Sequence, residues 1–185
     1  MTRIVAFNGS PKGRSSRTQL LVDALLEGAR SAGAETETVF LAEKSLVPCD
    51  ECMGYWVLNG KGECAQEDDG NALLEQAMGA DFVLLATPLL MDSMSGLLKI
   101  FLERWLPLMH PRFRAQHGQG TLPARTGRVP DWIILSSCSF PEQFHFQPMS
   151  LMFRELSKSF NNRIEAEIYR VEAHLFGRLG EMEHL

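Results

Sequence analysis

The sequence predicts an open, doubly wound α/β sheet, on two observations. Residues 4–7 (IVAF) and 83–86 (VLLA) are short apolar runs without a polar break, the pattern of parallel strands covered on both faces. Each run ends in a polar or proline-bearing turn and passes into a stretch whose apolar residues recur at helical spacing. Strand–loop–helix units joined by right-handed crossovers build such a sheet, and a planar ligand belongs above the carboxyl ends of its strands, where the first and third loops converge.

The first unit, residues 4–18 (IVAFNGSPKGRSSRT), organises the rest. Asn8, Gly9, Pro11 and Gly13 break the strand and leave a loop rich in backbone N–H groups. Ser15 or Ser16 can cap the helix that follows, on which Leu20, Leu21, Ala24, Leu25, Gly28 and Ala29 are expected to form the buried face. Strand, polar turn and helix N-terminus together make an anion seat. Ser10, Ser15, Ser16 and Thr18 add hydroxyls, while Lys12, Arg14 and Arg17 add charge. Neither the G-x-G-x-x-G fingerprint nor a Gly-Lys-Ser/Thr phosphate loop is present. Hydroxyls in place of that glycine series suit a terminal phosphate monoester better than a buried pyrophosphate. The plainer reading is a capped helix behind an ordinary turn.

The run NGSPKGRSSRT resembles the phosphate-binding start of the flavodoxin-like NAD(P)H-dependent FMN reductases. That resemblance implies that Ser10, Lys12, Ser16, Arg17 and Thr18 surround the 5′-phosphate of FMN. Residues 87–104 (TPLLMDSMSGLLKIFLER) resemble the same family's third-strand block. By that match Pro88, Leu89, Leu90 and Met91 line the isoalloxazine, Ser95 and Gly96 begin a helix, Lys99 faces the site or its rim, and Glu103 and Arg104 end the helix. Leu90 stands where the family usually has tyrosine. Residues 140–160 (FPEQFHFQPMSLMFRELSKSF) resemble a block of one branch, with Ser139 where glycine is common. Cys138, Ser139 and Phe140 are then expected to frame the ring. The resemblance covers most of the chain. It implies a single flavodoxin-like FMN-binding domain over residues 1–185, with five parallel strands ordered 2-1-3-4-5 and helices on both faces.

Bulk properties agree with one folded domain: 45% hydrophobic residues among 185 can build a sizeable core. A net charge of −5 argues against nucleic acid as the main partner. No leader pattern opens the chain and no apolar run is long enough to span a bilayer. Four cysteines in a chain of this length do not suggest a disulfide scaffold, so a reducing cytoplasm is the expected setting.

The remaining elements follow in order. Gly33 ends the first helix, and residues 35–41 form a second strand whose Glu and Thr positions suit a sheet edge. Cys49 and Cys52 are spaced like half of a zinc or iron–sulfur site, with Cys64 as a third thiol. Iron–sulfur flavoproteins of the same superfamily carry a compact four-cysteine motif here. Tyr55 stands in the place of one of those cysteines, so the motif is degenerate and no metal site is expected. A dithiol or a structural loop remains. Tyr55 and Trp56 read as packing or interface residues. Asp68 and Asp69 precede a helix over residues 70–78 and read as its cap, or more sharply as a metal pair. Without the family, Lys99 and Glu103 are an i,i+4 surface pair. The wide apolar face around Trp105 suggests a partner helix as well as core packing. Residues 107–130 lack a sustained period and hold Arg112, Arg114, Arg125 and Arg128 beside His110 and His117. They read either as a solvated excursion or as a rim that attracts a nucleotide phosphate or completes a partner subunit's site. Residues 132–137 and 166–171 supply the fourth and fifth strands, and Met149, Met152, Phe153 and Leu156 form a core-facing stripe. A last short helix or tail holds Leu175, Phe176 and Leu179.

The function expected from these features is an FMN-dependent oxidoreductase. Hydride passes from NAD(P)H to bound flavin and on to a quinone, azo, metal or flavin acceptor, with no catalytic side chain and with His145 dispensable. The expected partners are a small-molecule acceptor and the chain itself, as a dimer or tetramer. The alternative is a non-enzymatic electron carrier or flavin-binding regulator.

Overall fold

A computed structural model describes residues 1–53, 62–112, 114–116, 119–125 and 127–176; Tyr55, Trp56, His117 and Leu179 lie outside the described residues. The strands are β1 (Arg3–Asn8), β2 (Glu35–Phe40), β3 (Phe82–Pro88), β4 (Arg114–Gln116), β5 (Gln119–Thr121), β6 (Asp131–Ser137) and β7 (Ile164–Arg170). The helices are α1 (Arg17–Ser31), α2 (Gly70–Met78), α3 (Gly96–Glu103) and α4 (Gln147–Phe160). Five strands pair in parallel in the order β2-β1-β3-β6-β7. Counting only the strands of that sheet, this is the expected 2-1-3-4-5 and a flavodoxin-like fold. The antiparallel β4–β5 hairpin, which sequence periodicity did not reveal, sits within the excursion between α3 and β6. None of the helices among the described residues is long and apolar enough to cross a membrane.

Side-chain alternation sorts the core into two layers. Ile4, Ala6, Leu84, Ala86 and Leu135 face α1, meeting Val22 and Leu26. Val5, Phe7, Val83, Leu85, Trp132 and Ile134 face the layer containing α2, α3 and α4. The buried side of α1 is Thr18, Gln19, Val22 and Leu26, while Leu20 is half exposed. The expected face through Leu20, Ala24 and Gly28 is thus rotated. The Ser16 cap fixes where the helix starts, and Thr18 and Gln19 turn inward to polar partners, which carries the positions one helical turn later with them.

The apolar breadth of α3 is internal. Leu98, Phe101 and Trp105 are fully buried, so the expected partner face around Trp105 does not exist as a surface. The residues pack into an aromatic file: Phe7 on Phe101 at 4.5 Å between ring centroids, Phe101 on Trp105 at 5.8 Å, Trp105 on Trp132 at 5.6 Å. The first pair is stacked and the other two are edge-to-face, and aromatic pairs of either kind add about 0.5–1.5 kcal/mol beyond the area they bury.

One polar tie crosses this layer. Arg104, just past the end of α3, makes a bidentate pair with Asp68 at 2.6 and 2.9 Å, both side chains being fully enclosed. Asp68 also accepts the N–H groups of Val47 and Gly70, and Arg104 donates to the Val47 carbonyl. A Cβ on Gly70 would stand 2.8 Å from the guanidinium, so glycine is what lets Arg104 lie across the start of α2. Asp68 therefore serves the helix end, as expected, but its main office is to neutralise Arg104. Asp69 does not cap; its carboxylate takes the Ser45 N–H. Burial alone would raise the Asp68 pKa, yet the Arg104 bonds and two backbone donors hold it below the ordinary carboxylate range.

Removing one member of an enclosed pair strands the other. Asp68→Asn is expected to lose about 3–5 kcal/mol in urea unfolding at pH 7. Because the folded pKa is depressed, this contribution is complete above the unfolded value of about 3.9 and disappears as pH falls through the folded one. Acidification should therefore cost the wild type more stability than Asp68→Asn; parallel losses would exclude this pair as the cause.

Candidate functional site

The turn after β1 is built from the inside. Asn8 is fully buried; its side chain accepts the Ser10 N–H at 2.8 Å and donates to Gln19 at 2.8 Å. Gly9 donates to the Ala86 carbonyl of β3, and its own carbonyl accepts the Ser95 hydroxyl at 2.6 Å. The Ser95 N–H in turn reaches the Thr87 hydroxyl at 2.9 Å. No Cβ fits at Gly9, where it would lie 2.7 Å from the Leu98 Cβ. The first and third loops are thus pressed together by backbone contact. Ser16 caps α1 by accepting the Gln19 N–H at 3.1 Å, which settles the choice between Ser15 and Ser16. Thr18 is buried against Ser137 at the end of β6, with 3.4 Å between hydroxyls.

These pieces surround a cavity of about 240 Å³ at the carboxyl ends of β1, β3 and β6, lined by Ser10, Pro11, Lys12, Ser16, Arg17, Thr18, Pro88, Leu89, Leu90, Ser137, Cys138, Ser139 and Ala173. Ten of the residues singled out from the sequence lie there, including all five assigned to the phosphate loop. Met91 and Phe140 do not line it; both are exposed just beyond it. Arg14 also points elsewhere, paired with Glu43 at 2.8 Å and lying over the Phe40 ring. Lys99 makes the i,i+4 pair with Glu103 on the surface of α3 and is not among the described lining residues. Ser137, read from the sequence only as the end of the fourth strand, is not among the residues assigned to the site, although the last residue of a parallel strand is where such sites gather. Ala173 arrives from the segment after β7 and carries no signal of its own.

Two loops frame the mouth. Leu90 and Ser93 exchange backbone hydrogen bonds across a tight turn in which Met91 and Asp92 take φ of 52° and 55°, the mirror-image turn that glycine or asparagine usually occupies. That geometry throws the Met91 side chain outward. Asp92 then bonds His145 at 3.0 Å, and the imidazole stacks between Phe140 and Phe144, 4.2 Å from each. His145 is thereby a tie between the loop after β3 and the loop after β6. Burial pushes the Cys138 thiol up, with Glu142 and Asp92 adding to it, so it stands as a neutral wall of the cavity.

The other cysteines are elsewhere. Cys49, Cys52 and Cys64 line a small concavity of about 30 Å³ against Arg104 and Pro107. Cys138 belongs to the larger cavity, so only three thiols are available there, one short of a four-thiolate cluster shell. Among the described residues no group of three His, Cys, Asp or Glu side chains is arranged to hold a metal ion.

Comparison with known proteins bears on all of this. The family model described as NADPH-dependent FMN reductase matches residues 2–118. An iron-sulfur flavoprotein of Archaeoglobus fulgidus is 31% identical over 117 residues, 63% of this chain and 51% of that protein. One of Methanocaldococcus jannaschii is 32% identical over 106 residues, 57% of this chain and 53% of that protein. The chain thus spans about half the length of the curated relatives it matches. Among solved structures, an FMN-dependent NADH-azoreductase from Bacillus anthracis, in complex with FMN, aligns with a TM-score of 0.65 at 13% identity, covering 99% of this chain and 93% of that one. The structure described as azoreductase AzrA aligns at 0.68 and 13%, covering 98% and 93%. At such identities the likeness is one of fold.

The close approach at Gly9 has a measurable consequence. Gly9→Ala must displace Leu98 or the loop itself, and is expected to cost about 1–3 kcal/mol in chemical denaturation. Wild-type stability in that variant would show that the contact has slack.

Proposed function

The chain belongs to the NADPH-dependent FMN reductase family, and we propose that it is an FMN-dependent oxidoreductase in which bound flavin takes hydride from NADH or NADPH and passes the two electrons on to a quinone, azo compound, metal ion or free flavin. The observation that carries this reading is the meeting of three loops on one cavity, polar and hydroxylic on the α1 side and apolar along Pro88, Leu89 and Leu90. Such a division suits a ligand with a phosphate at one end and a flat ring at the other. Ser10, Ser16 and Thr18 hold the phosphate with hydroxyls and the N-terminus of α1, with Lys12 and Arg17 at the rim. Pro88, Leu89, Leu90, Cys138 and Ser139 frame the ring; Met91 and Phe140 stand at the mouth, where a second flat molecule would enter. Bound FMN supplies the two-electron chemistry that links a nicotinamide to an acceptor. The chain contributes position and exclusion of water, and none of its side chains needs to move a proton. His145 is occupied as a loop tie, in keeping with a structural rather than a catalytic part. The degenerate cysteine loop is read as a structural or dithiol feature without a cluster.

Self-association as a dimer or tetramer belongs to the proposal. With α3 internal, the exposed Leu90, Met91, Phe140 and Phe144 around the mouth are the better surface for it. The four cysteines form no disulfide among the described residues, in keeping with the cytoplasmic setting proposed here. A single domain over residues 1–185 is likewise part of this reading.

Two experiments test it. In calorimetric titration, Ser16→Ala and Thr18→Ala should each weaken FMN binding by about 1.5–3 kcal/mol; unchanged affinity in both removes the loop from the site. In anaerobic stopped-flow mixing, NADH or NADPH should bleach the flavin band of the FMN-loaded protein. His145→Ala should keep most of that rate and Leu90→Asp should lose it. If neither nicotinamide reduces the flavin, the electron-carrier reading replaces this one.

A further inference from the structure

The excursion between α3 and β6 holds another cavity, which shares no described lining residue with the one at the carboxyl ends of the strands. Its volume is about 390 Å³, and His110, Arg112, Arg114, Pro123, Ala124 and Arg125 line it. The chain folds back on itself to form it. His110 donates its N–H to the Pro123 carbonyl and Arg125 donates to the Leu108 carbonyl, while Met109 bridges Ala124. The Leu122 N–H is bonded to Ser159 in the last turn of α4, from which the chain goes on to β7 at Ile164. The cavity therefore lies toward the amino ends of the strands, away from the carboxyl-end site.

We propose that this cavity is a binding site for a phosphate-bearing anion of the diphosphate class, free or as part of a nucleotide. Three arginines and a histidine line it, and no carboxylate is among the described lining residues. Arg112 and Arg114 are exposed and enter no ion pair among the described residues. That contrasts with Arg3, Arg14, Arg30, Arg104, Arg128, Arg154 and Arg163, which all meet a carboxylate. Arg125 is held in place by its Nε donating to the Pro107 carbonyl at 2.9 Å. In a chain of net charge −5, Arg112 and Arg114 bring to this concavity positive charge that no carboxylate among the described residues meets. The forked donors of arginine match phosphate oxygens two at a time, and more than one guanidinium suits more than one phosphate. The site is concave, which fits a small-molecule anion better than the flat surface of an acidic protein. This site does not rest on the flavin reading, since none of its residues takes part in that one.

The test is titration of the whole chain with inorganic pyrophosphate and, separately, with ADP, in excess FMN so that the α1 loop is filled. Calorimetry should show saturable binding of at least one probe, the tighter of the two naming the source. Arg112→Gln combined with Arg114→Gln should weaken it by about tenfold or more. Ser16→Ala should leave it unchanged, which separates this site from the flavin seat whether or not FMN binds. The single variant Arg114→Gln, expected to lose part of the affinity, serves if the double variant does not fold. Absence of saturable binding by both probes, or binding undiminished in the arginine variants, overturns the proposal.

Discussion

The contact on which this structure turns is the one between Gly9 and the start of α3. With no Cβ in the way, the backbone after β1 lies against Leu98, donates to β3 at Ala86 and accepts the Ser95 hydroxyl. Two strand-end loops that are far apart in sequence are thereby fixed within one hydrogen bond of each other. Everything in the main cavity takes its position from this junction. Asn8 below it sets the Ser10 amide, Ser16 beyond it starts α1, and Thr87 beside it sets the amide of Ser95. Preorganisation of this kind places donors before a ligand arrives, so that little ordering cost falls on binding.

A different economy governs the layer beneath. Phe7, Phe101, Trp105 and Trp132 pack ring on ring, and the enclosed Arg104–Asp68 pair joins the start of α2 to the end of α3 across the same layer. The rings contribute most of the cohesion, because burying a large apolar side chain is worth about 1.5–3 kcal/mol. The ion pair contributes specificity of placement, since its geometry is satisfied only when the Val47 and Gly70 backbones are also in register.

The sheet was legible in the sequence because its signals are local. The unbroken apolar residues 83–86, the prolines and glycines at strand ends, and a serine before each of α1 and α3 depend only on neighbours along the chain. That ten of the residues named from the sequence would meet on one cavity was legible for the same reason: loops at the carboxyl ends of adjacent parallel strands must meet. The buried face of α1 was not, because Thr18 and Gln19 turn inward for polar partners that apolar periodicity does not register. The width of the apolar face on α3 was misread as a surface. A helix lying among the other elements of its layer needs more than one apolar stripe, and sequence shows the width but not the neighbours. That Met91 points out of the cavity was not legible for a conformational reason, since nothing about methionine announces a positive φ.

The strand order has a consequence for how the chain assembles. β1 is flanked by β2 on one side and by β3 on the other, with Ile4 opposite both Thr36 and Phe82. The first two strands and α1 can form early, but the second edge of β1 stays open until residues 82–88 have been made and delivered to it. Closing that distance costs chain entropy before any ladder bond repays it, so non-local parallel pairing sets a slow step. Until then the β3-facing edge of an almost wholly apolar strand is a template for the wrong partner. Translation is therefore the stage at which this fold is most exposed to mispairing, and the length of chain between β2 and β3 sets how long that exposure lasts.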